Sequence, residues 1–166
     1  GSILIGGASV QKMDEDMRTQ IRRKKIGFVY QRHNLLGDFT ALENVMLPMM
    51  ANGVAENVAQ ARAMKLLRAA NVAHRASHLP GEMSGGEQQR TAVARALANN
   101  PDILLADEPT GALDSNTGRQ VLDTLKKLSA DKLVIIVSHD REYAEQYADR
   151  IIELADGKVI RDVEAQ

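Results

Sequence analysis

Two adjacent acids follow a short apolar stretch: residues 103–106 read Ile-Leu-Leu-Ala, and Asp107 and Glu108 come next. An unbroken apolar run of this length indicates a parallel strand covered on both faces. Ligands of open parallel sheets bind beyond the carboxyl ends of the strands. We therefore expect Asp107 to face a bound Mg²⁺, which prefers carboxylate and water oxygens. Glu108, one step farther out, would polarise a water that attacks a terminal phosphate. A plain strand end with two solvated acids has the same pattern.

A histidine stands at the end of a second apolar run. Residues 133–137 read Leu-Val-Ile-Ile-Val, and Ser138, His139 and Asp140 follow. The run predicts a second buried strand, whose carboxyl end opens on the same edge of the sheet as the first. There His139 would hydrogen-bond a γ-phosphate and sense its presence. A lone histidine is more often structural or at the surface, so its role depends on lying beside Asp107 and Glu108.

Residues 83–90 read Met-Ser-Gly-Gly-Glu-Gln-Gln-Arg, and this string marks the start of a helix. Ser84 and Glu87 have the spacing of a capping box. A helix N-terminus approached through glycines is also an anion site, because free N–H groups and the positive end of the dipole point at the ligand. The spacing of serine and glutamate alone would fit a plain helix cap. The two glycines and the polar Gln-Gln-Arg turn favour the anion site.

The pattern along the chain is an α/β core interrupted by a mainly helical insert. Residues 26–30 read as a buried strand, and residues 33–97 have helical character. A capping box at Thr40 and Glu43 starts one of the helices of the insert. After residue 101, strands and helices alternate, and the predicted segments are helices at 120–128 and 141–148 and a hairpin at 151–160.

Composition limits the class of protein. The chain has 166 residues, 21 Lys and Arg against 22 Asp and Glu, and a net charge of −1. This balance gives no general attraction to nucleic acid or to an anionic membrane. Cysteine is absent, which excludes disulfides, thiolate metal sites and a cysteine nucleophile. The sequence shows no apolar run of the roughly 18 residues that a membrane span needs.

Three strings, in this order and spacing, resemble the nucleotide-binding subunits of ABC transporters over essentially the whole chain. They are S-G-G-E-Q-Q-R at 84–90, L-L-A-D-E-P-T-G-A-L-D at 104–114 and S-H-D at 138–140. The resemblance implies an α/β fold of the P-loop NTPase (RecA-like) type, with a parallel-sheet core and an inserted helical subdomain. It divides the chain into core residues 1–31, a helical subdomain at 32–96 and core residues 97–166.

The resemblance also implies the site residues and the cofactors ATP and Mg²⁺. Residues 84–88 match the ABC signature, 111–114 match the D-loop, and Gln31 matches the Q-loop glutamine. The implied catalytic residues are Glu108, His139 and Asp114, the implied ATP contacts are Ser84, Gly85, Gly86, Glu87 and Gln88, and the implied metal ligands are Gln31 and Asp107. A second ATPase subunit would pack head to tail, so that the signature of one closes on the ATP of the other.

Residues 30–45 resemble the subgroup that includes lipoprotein-releasing, macrolide-export-type and cell-division ABC ATPases. Gly37-Asp38-Phe39-Thr40 favours the lipoprotein-releasing branch, whereas residues 111–115 favour the export type. The implied partners are membrane-spanning permease subunits and not nucleic acid, at the cytoplasmic face of the inner membrane. The alternatives are a soluble ABC ATPase that acts on nucleic acid or the ribosome, and a non-catalytic fragment.

The phosphate-binding loop that this family needs, G-x-x-x-x-G-K-[ST], does not occur in the 166 residues. Residues 3–7 resemble the strand that follows this loop and its helix in full-length members. We therefore expect the N-terminal part of the core, with the Walker A loop and one central strand, to be absent. Without the backbone N–H groups and the lysine that hold the phosphates, a protein of these residues alone is expected to be inactive.

Overall fold

The computed structural model of the chain describes residues 1–164, so residues 165–166 of the predicted C-terminal part lie outside it. The elements run in the order β1 Leu4–Ile5, β2 Ala8–Ser9, α1 Glu15–Lys24, β3 Ile26–Val29, α2 Ala41–Met50, α3 Glu56–Ala69, α4 Gly85–Ala96, β4 Ile103–Asp107, α5 Ser115–Leu128, β5 Leu133–Val137, α6 Arg141–Tyr147, β6 Arg150–Ala155 and β7 Lys158–Glu164. A mixed α/β fold with a parallel sheet, as predicted, is confirmed.

Strands β3, β4 and β5 form a parallel sheet in that order. Val29 pairs with Ala106, and Asp107 pairs with Val137. Helices α4 and α5 cover one face, because their apolar residues form a single core with residues of β3 and β4. That core consists of Val29, Val93, Leu97, Leu104, Ala106, Val121 and Leu125.

The prediction that the two apolar runs are buried strands is wrong for β5 and half right for β4. In β4 only Leu104 and Ala106, which face α4 and α5, are buried. In β5, Leu133, Ile135 and Val137 are more than 45% exposed. Among residues 1–164, β5 pairs only with β4, so it is one of the two edge strands of the sheet. It lacks the cover on both faces that an apolar run is suited to.

Helices α2, α3 and α4 build a second core, which includes Val45, Met49, Ala63, Leu67 and Val72. The capping box predicted for α2 is confirmed. The Thr40 hydroxyl accepts the Glu43 N–H at 3.3 Å, and the Glu43 carboxylate accepts the Thr40 N–H at 2.7 Å. Residues of α4 belong to both cores, so this helix joins the helical part to the sheet.

The predicted hairpin is confirmed as the antiparallel pair β6 and β7. Asp156 and Gly157 form its turn with φ angles of 48° and 74°, as a two-residue turn with both angles positive requires. Within residues 1–164, none of the helices combines the length and the apolar character needed to span a membrane.

Candidate active site

Three polar segments meet at one edge of the sheet because its strands are parallel and in register. Tyr30 and Gln31 follow β3, Glu108 follows β4, and Ser138 and His139 follow β5. The structure therefore brings together the residues at the three strand ends, as the sequence predicts.

Glu108 and His139 form a hydrogen-bonded pair at this edge. The Glu108 Oε1 atom lies 2.7 Å from His139 Nδ1 and accepts the backbone N–H of His139 at 3.0 Å. The Glu108 carboxylate raises the pKa of His139, first by its hydrogen bond and then by its charge. The imidazole is exposed, whereas the Glu108 side chain is only 20% exposed. The pair can therefore present an imidazole to solvent while the protein holds the carboxylate in place.

The backbone of Glu108 has an uncommon conformation, with a φ of 45°. A non-glycine residue in the left-handed region stores strain, and such residues cluster at functional sites. The Glu108 N–H donates to the carbonyl of Val137 at 2.9 Å, which extends the pairing of β4 with β5 by one residue. This bond holds the strained residue beside His139.

Gln31 lies beside Glu108, and Gly111 makes room for it. A Cβ atom added to Gly111 would lie 2.9 Å from Gln31 Nε2 and 3.5 Å from Glu108 Cβ. A side chain at position 111 would therefore displace the Gln31 amide. The amide and the Glu108 side chain border the same small space at the edge of the sheet.

Asp107 ends β4 with an exposed side chain, and it is the carboxylate next to Glu108. Residues 1–164 contain no group of three His, Asp or Glu side chains arranged to hold a metal. Mg²⁺ at nucleotide sites is held by one or two protein ligands together with phosphate oxygens and water. Asp107 at the end of β4 and Gln31 after β3 supply oxygen atoms of the kind that such a sparse ligand set uses.

Asp114, counted among the catalytic residues from the sequence, begins α5. Its carboxylate accepts the N–H groups of Asn116 and Thr117, both at 3.1 Å. The hydrogen bonds from Thr117 lower the pKa of Asp114. The structure thus places Asp114 as the N-cap of the helix that follows Glu108 and Gly111.

The signature residues 84–88 form the first turn of α4, and its two glycines are in close contact with the D-loop region. A Cβ atom added to Gly86 would collide with Thr117 Cγ2, and one added to Gly85 would lie 3.3 Å from Leu113 Cδ2. The Ser84 hydroxyl accepts the Glu87 N–H at 3.3 Å, and Gln88 Nε2 donates to Met83 O at 3.1 Å. Close packing against Thr117 of α5 therefore explains Gly86 without a ligand, whereas Gly85 makes only a close contact with Leu113 in the loop before α5.

The Glu87 side chain points into the protein and is almost buried. Its carboxylate accepts the Ser84 N–H at 2.8 Å and the Arg75 Nε–H at 2.9 Å, and it lies 3.1 Å from His74 Nε2. Arg75, followed by the Ser84 backbone bond, lowers the pKa of Glu87 to about 2. Sequence reasoning missed Arg75 and His74, because they lie in the turn Ala73–Arg75 before α4 and have no recognisable spacing relative to Glu87.

The geometry agrees with a comparison to protein families. The ABC transporter family model matches residues 1–111, two thirds of the chain. The chain therefore belongs to the ABC transporter family.

Characterised relatives define the subgroup. The chain is 46% identical over 166 residues to the lipoprotein-releasing system ATP-binding protein LolD of Hyphomonas neptunium, covering 99% of this chain and 72% of LolD. It is 46% identical over 163 residues to the macrolide export ATP-binding/permease protein MacB of a Shewanella species, covering 98% of this chain and 25% of MacB.

A solved structure matches the whole chain. It is the dimeric post-hydrolysis state of the ATP-binding cassette MJ0796 of Methanocaldococcus jannaschii, bound to ADP and Pi. The TM-score is 0.87 at 44% identity, over 100% of this chain and 74% of that one. The predicted fold of an ABC ATPase and the predicted ATPase subunit of the lipoprotein-releasing and macrolide-export subgroup are confirmed. Such a subunit binds nucleotide and hydrolyses ATP.

Proposed function

We propose that the subunit containing this chain powers lipoprotein release, or export of the macrolide type, across the bacterial inner membrane. It would work at the cytoplasmic face with membrane-spanning permease subunits. The observation that carries the catalytic part is the Glu108–His139 pair at the carboxyl edge of the parallel sheet. The identity of 46% to LolD over nearly the whole chain supports lipoprotein release.

The residues at the carboxyl edge of the sheet have separate roles in catalysis. Glu108 orients and deprotonates the attacking water, and its bond to His139 keeps the imidazole directed at the γ-phosphate. Asp107 and Gln31 would hold Mg²⁺, which would neutralise charge on the transferred phosphoryl group. The signature residues 84–88 would bind the ATP held by a second subunit, packed head to tail.

The proposed catalytic roles are tested with Glu108→Gln in a subunit that joins these residues to a phosphate loop. The amide keeps the size and hydrogen bonding of Glu108 but cannot accept the proton of water. General-base contributions of about 10²–10⁴-fold set the expected fall in steady-state ATP turnover, while ATP binding survives. Hydrolysis near the parent rate would show that Glu108 is not the base.

Residues 32–96 are proposed as the helical subdomain, between core residues 1–31 and 97–166. The permease would dock near its start. Leu36 is 50% and Phe39 is 39% exposed, although both belong to a loop whose backbone is held firmly. The buried Asn44 side chain donates to Leu36 O at 3.1 Å and to Phe39 O at 2.9 Å, and it accepts the Leu36 N–H at 2.8 Å. Exposed apolar side chains on a fixed loop suit a partner helix.

A groove of about 390 Å³ between α2, α3 and the turn after α3 lies on the same side of the subdomain. Its lining residues are Thr40, Leu42, Glu43, Met46, Glu56, Gln60, Met64, Ala73, Ala76 and Ser77. It joins the loop at Thr40, so the loop and the groove together form one docking surface. The floor is apolar, and Glu43 and Glu56 supply acidic groups at the rim.

Phe39→Asp tests this docking surface. Val58→Asp is the matched control, because Val58 is exposed on α3 and does not line the groove. We expect Phe39→Asp to abolish co-purification with the permease and to leave the ATPase activity of the free subunit unchanged. If Phe39→Asp and Val58→Asp retain the permease equally well, the docking surface lies elsewhere.

A further inference from the structure

Gln89, which follows the signature in α4, is a buried polar side chain with no part in the proposed catalytic steps. Its side chain is fully buried, with a relative exposure of 0%. Both N–H groups of its amide are used, because Nε2 donates to Tyr30 O at 3.0 Å and to Pro109 O at 2.8 Å. Its Oε1 atom lies 2.5 Å from His33 Nδ1.

The three partners of Gln89 belong to the two segments that carry the catalytic edge. Tyr30 precedes Gln31, and His33 follows it by two residues. Pro109 directly follows Glu108. One amide on α4 thus holds the backbone carbonyl before Gln31, the His33 side chain after it, and the carbonyl of the residue next to Glu108.

A second side chain of α4 reinforces the same segment. Arg95, two turns farther along, donates from Nη1 to Asn34 O and from Nη2 to His33 O at 2.8 Å. Residues 30–34 are therefore attached to α4 at both of their ends. Since α4 also begins with the signature, the helix connects the signature mechanically to Gln31 and Glu108.

We infer that Gln89 is a positioning residue, which sets the backbone of Gln31 and Glu108 relative to the signature helix. This inference rests on the proposed roles of Gln31 and Glu108 in hydrolysis. The amide supplies one N–H donor to each of the two carbonyls, and the bond to Pro109 O is buried, so water does not replace that donor. The segment after β3 and the segment after β4 are separate connections of the fold. Hydrogen bonds from the one amide fix their positions relative to each other.

The test variant is Gln89→Met, which keeps the length of the side chain and removes both donors. Thr91→Val is the matched control: Thr91 is also fully buried in α4, but its hydroxyl bonds only to Glu87 O within the helix. Both variants are made in the subunit that joins these residues to a phosphate loop. The turnover number is normalised to the amount of bound Mg-ATP, so that unfolded protein does not count.

Misplacement of reacting groups by about 1 Å lowers rates by about 10²-fold, and this is the loss expected in the turnover number of Gln89→Met. The affinity for Mg-ATP should fall by much less than the turnover number, and Thr91→Val should keep the parent turnover. If Gln89→Met does not fold, Gln89→Leu replaces it, since it is smaller, apolar and also lacks both donors. A turnover of Gln89→Met equal to that of Thr91→Val would overturn the inference.

A double-mutant cycle separates positioning from general loss of structure. In the Glu108→Gln background, Gln89→Met should have little further effect, because residues that act as one unit are strongly non-additive. A full additional 10²-fold loss in that background would also overturn the inference. If Glu108→Gln alone hydrolyses ATP at the parent rate, the proposed function fails instead, and the two failures are distinguishable.

Discussion

The ion pair between Glu87 and Arg75 predicts how the stability of the helical part depends on pH. The pKa of Glu87 is lowered from 4.5 to about 2, with the hydrogen bond from Arg75 as the largest cause. A difference of one pKa unit corresponds to about 1.4 kcal/mol, so the carboxylate contributes up to about 3 kcal/mol to the free energy of unfolding. Arg75 is about one third exposed, and solvent screening reduces this to about 2 kcal/mol.

The sign follows from the direction of the shift. A carboxyl group with a lowered pKa in the folded protein stabilises it above the pKa of the unfolded chain, near 4.5, and this stabilisation is lost as the pH falls toward about 2. Glu87→Gln removes the ionisable group. The variant should therefore be less stable than the parent at pH 7 by about 2 kcal/mol, and the difference should shrink between pH 4.5 and pH 2.

Urea unfolding of the 166-residue chain at several pH values measures this difference. Glu82→Gln is the matched control, because Glu82 Oε2 accepts the Leu79 N–H at 2.8 Å, as Glu87 does with Ser84. In the described part of the chain Glu82 forms no ion pair, so its substitution should cost much less. Equal stability of Glu87→Gln and parent at pH 7, or a difference independent of pH, would refute the reasoning.

Three further predictions concern the catalytic edge and the binding of Mg-ATP. Asp107→Asn should weaken the binding of ATP in the presence of Mg²⁺ and leave metal-free binding unchanged, as titration calorimetry with and without EDTA would show. Glu108 raises the pKa of His139, so an NMR titration should give His139 a pKa above 6.5 that returns toward that value in Glu108→Gln. The bond thus favours the folded state below the ordinary histidine pKa, and this contribution is lost as the pH rises through the raised pKa. The 166 residues alone should bind Mg-ATP weakly, because they lack the phosphate loop and its roughly four charge-assisted hydrogen bonds, which together contribute roughly 6–12 kcal/mol. A micromolar complex has a binding free energy of only about 8 kcal/mol. Micromolar binding in calorimetry would contradict this prediction.

Local patterns predicted the elements and the shared edge of the sheet, because each strand end depends on a short apolar run and on the parallel order. The capping boxes at Thr40 and Ser84 depend only on residues three apart, so they too could be predicted. The exposure of β5 could not be predicted, because an apolar run does not reveal whether its strand lies at an edge of the sheet.

The contacts of the signature turn could not be predicted from the sequence, for a different reason. Glu87 has the capping spacing, but its partner Arg75 lies in a separate turn, and Gln89 reaches carbonyls 59 and 20 residues away. Such contacts depend on how α4 packs against the sheet, and no local periodicity carries them. The double glycine predicted an anion site. Its packing against Leu113 and Thr117 could be recognised only from the folded structure.

Glu108 is proposed to drive hydrolysis at a site closed by two subunits. Gel filtration of Glu108→Gln in Mg-ATP, in the subunit with a phosphate loop, tests it most directly. If hydrolysis is what opens the pair of subunits, the variant should elute as a stable dimer with ATP bound and return to monomer when ATP is removed. A variant that stays monomeric in Mg-ATP and turns over ATP at the parent rate would contradict the claim.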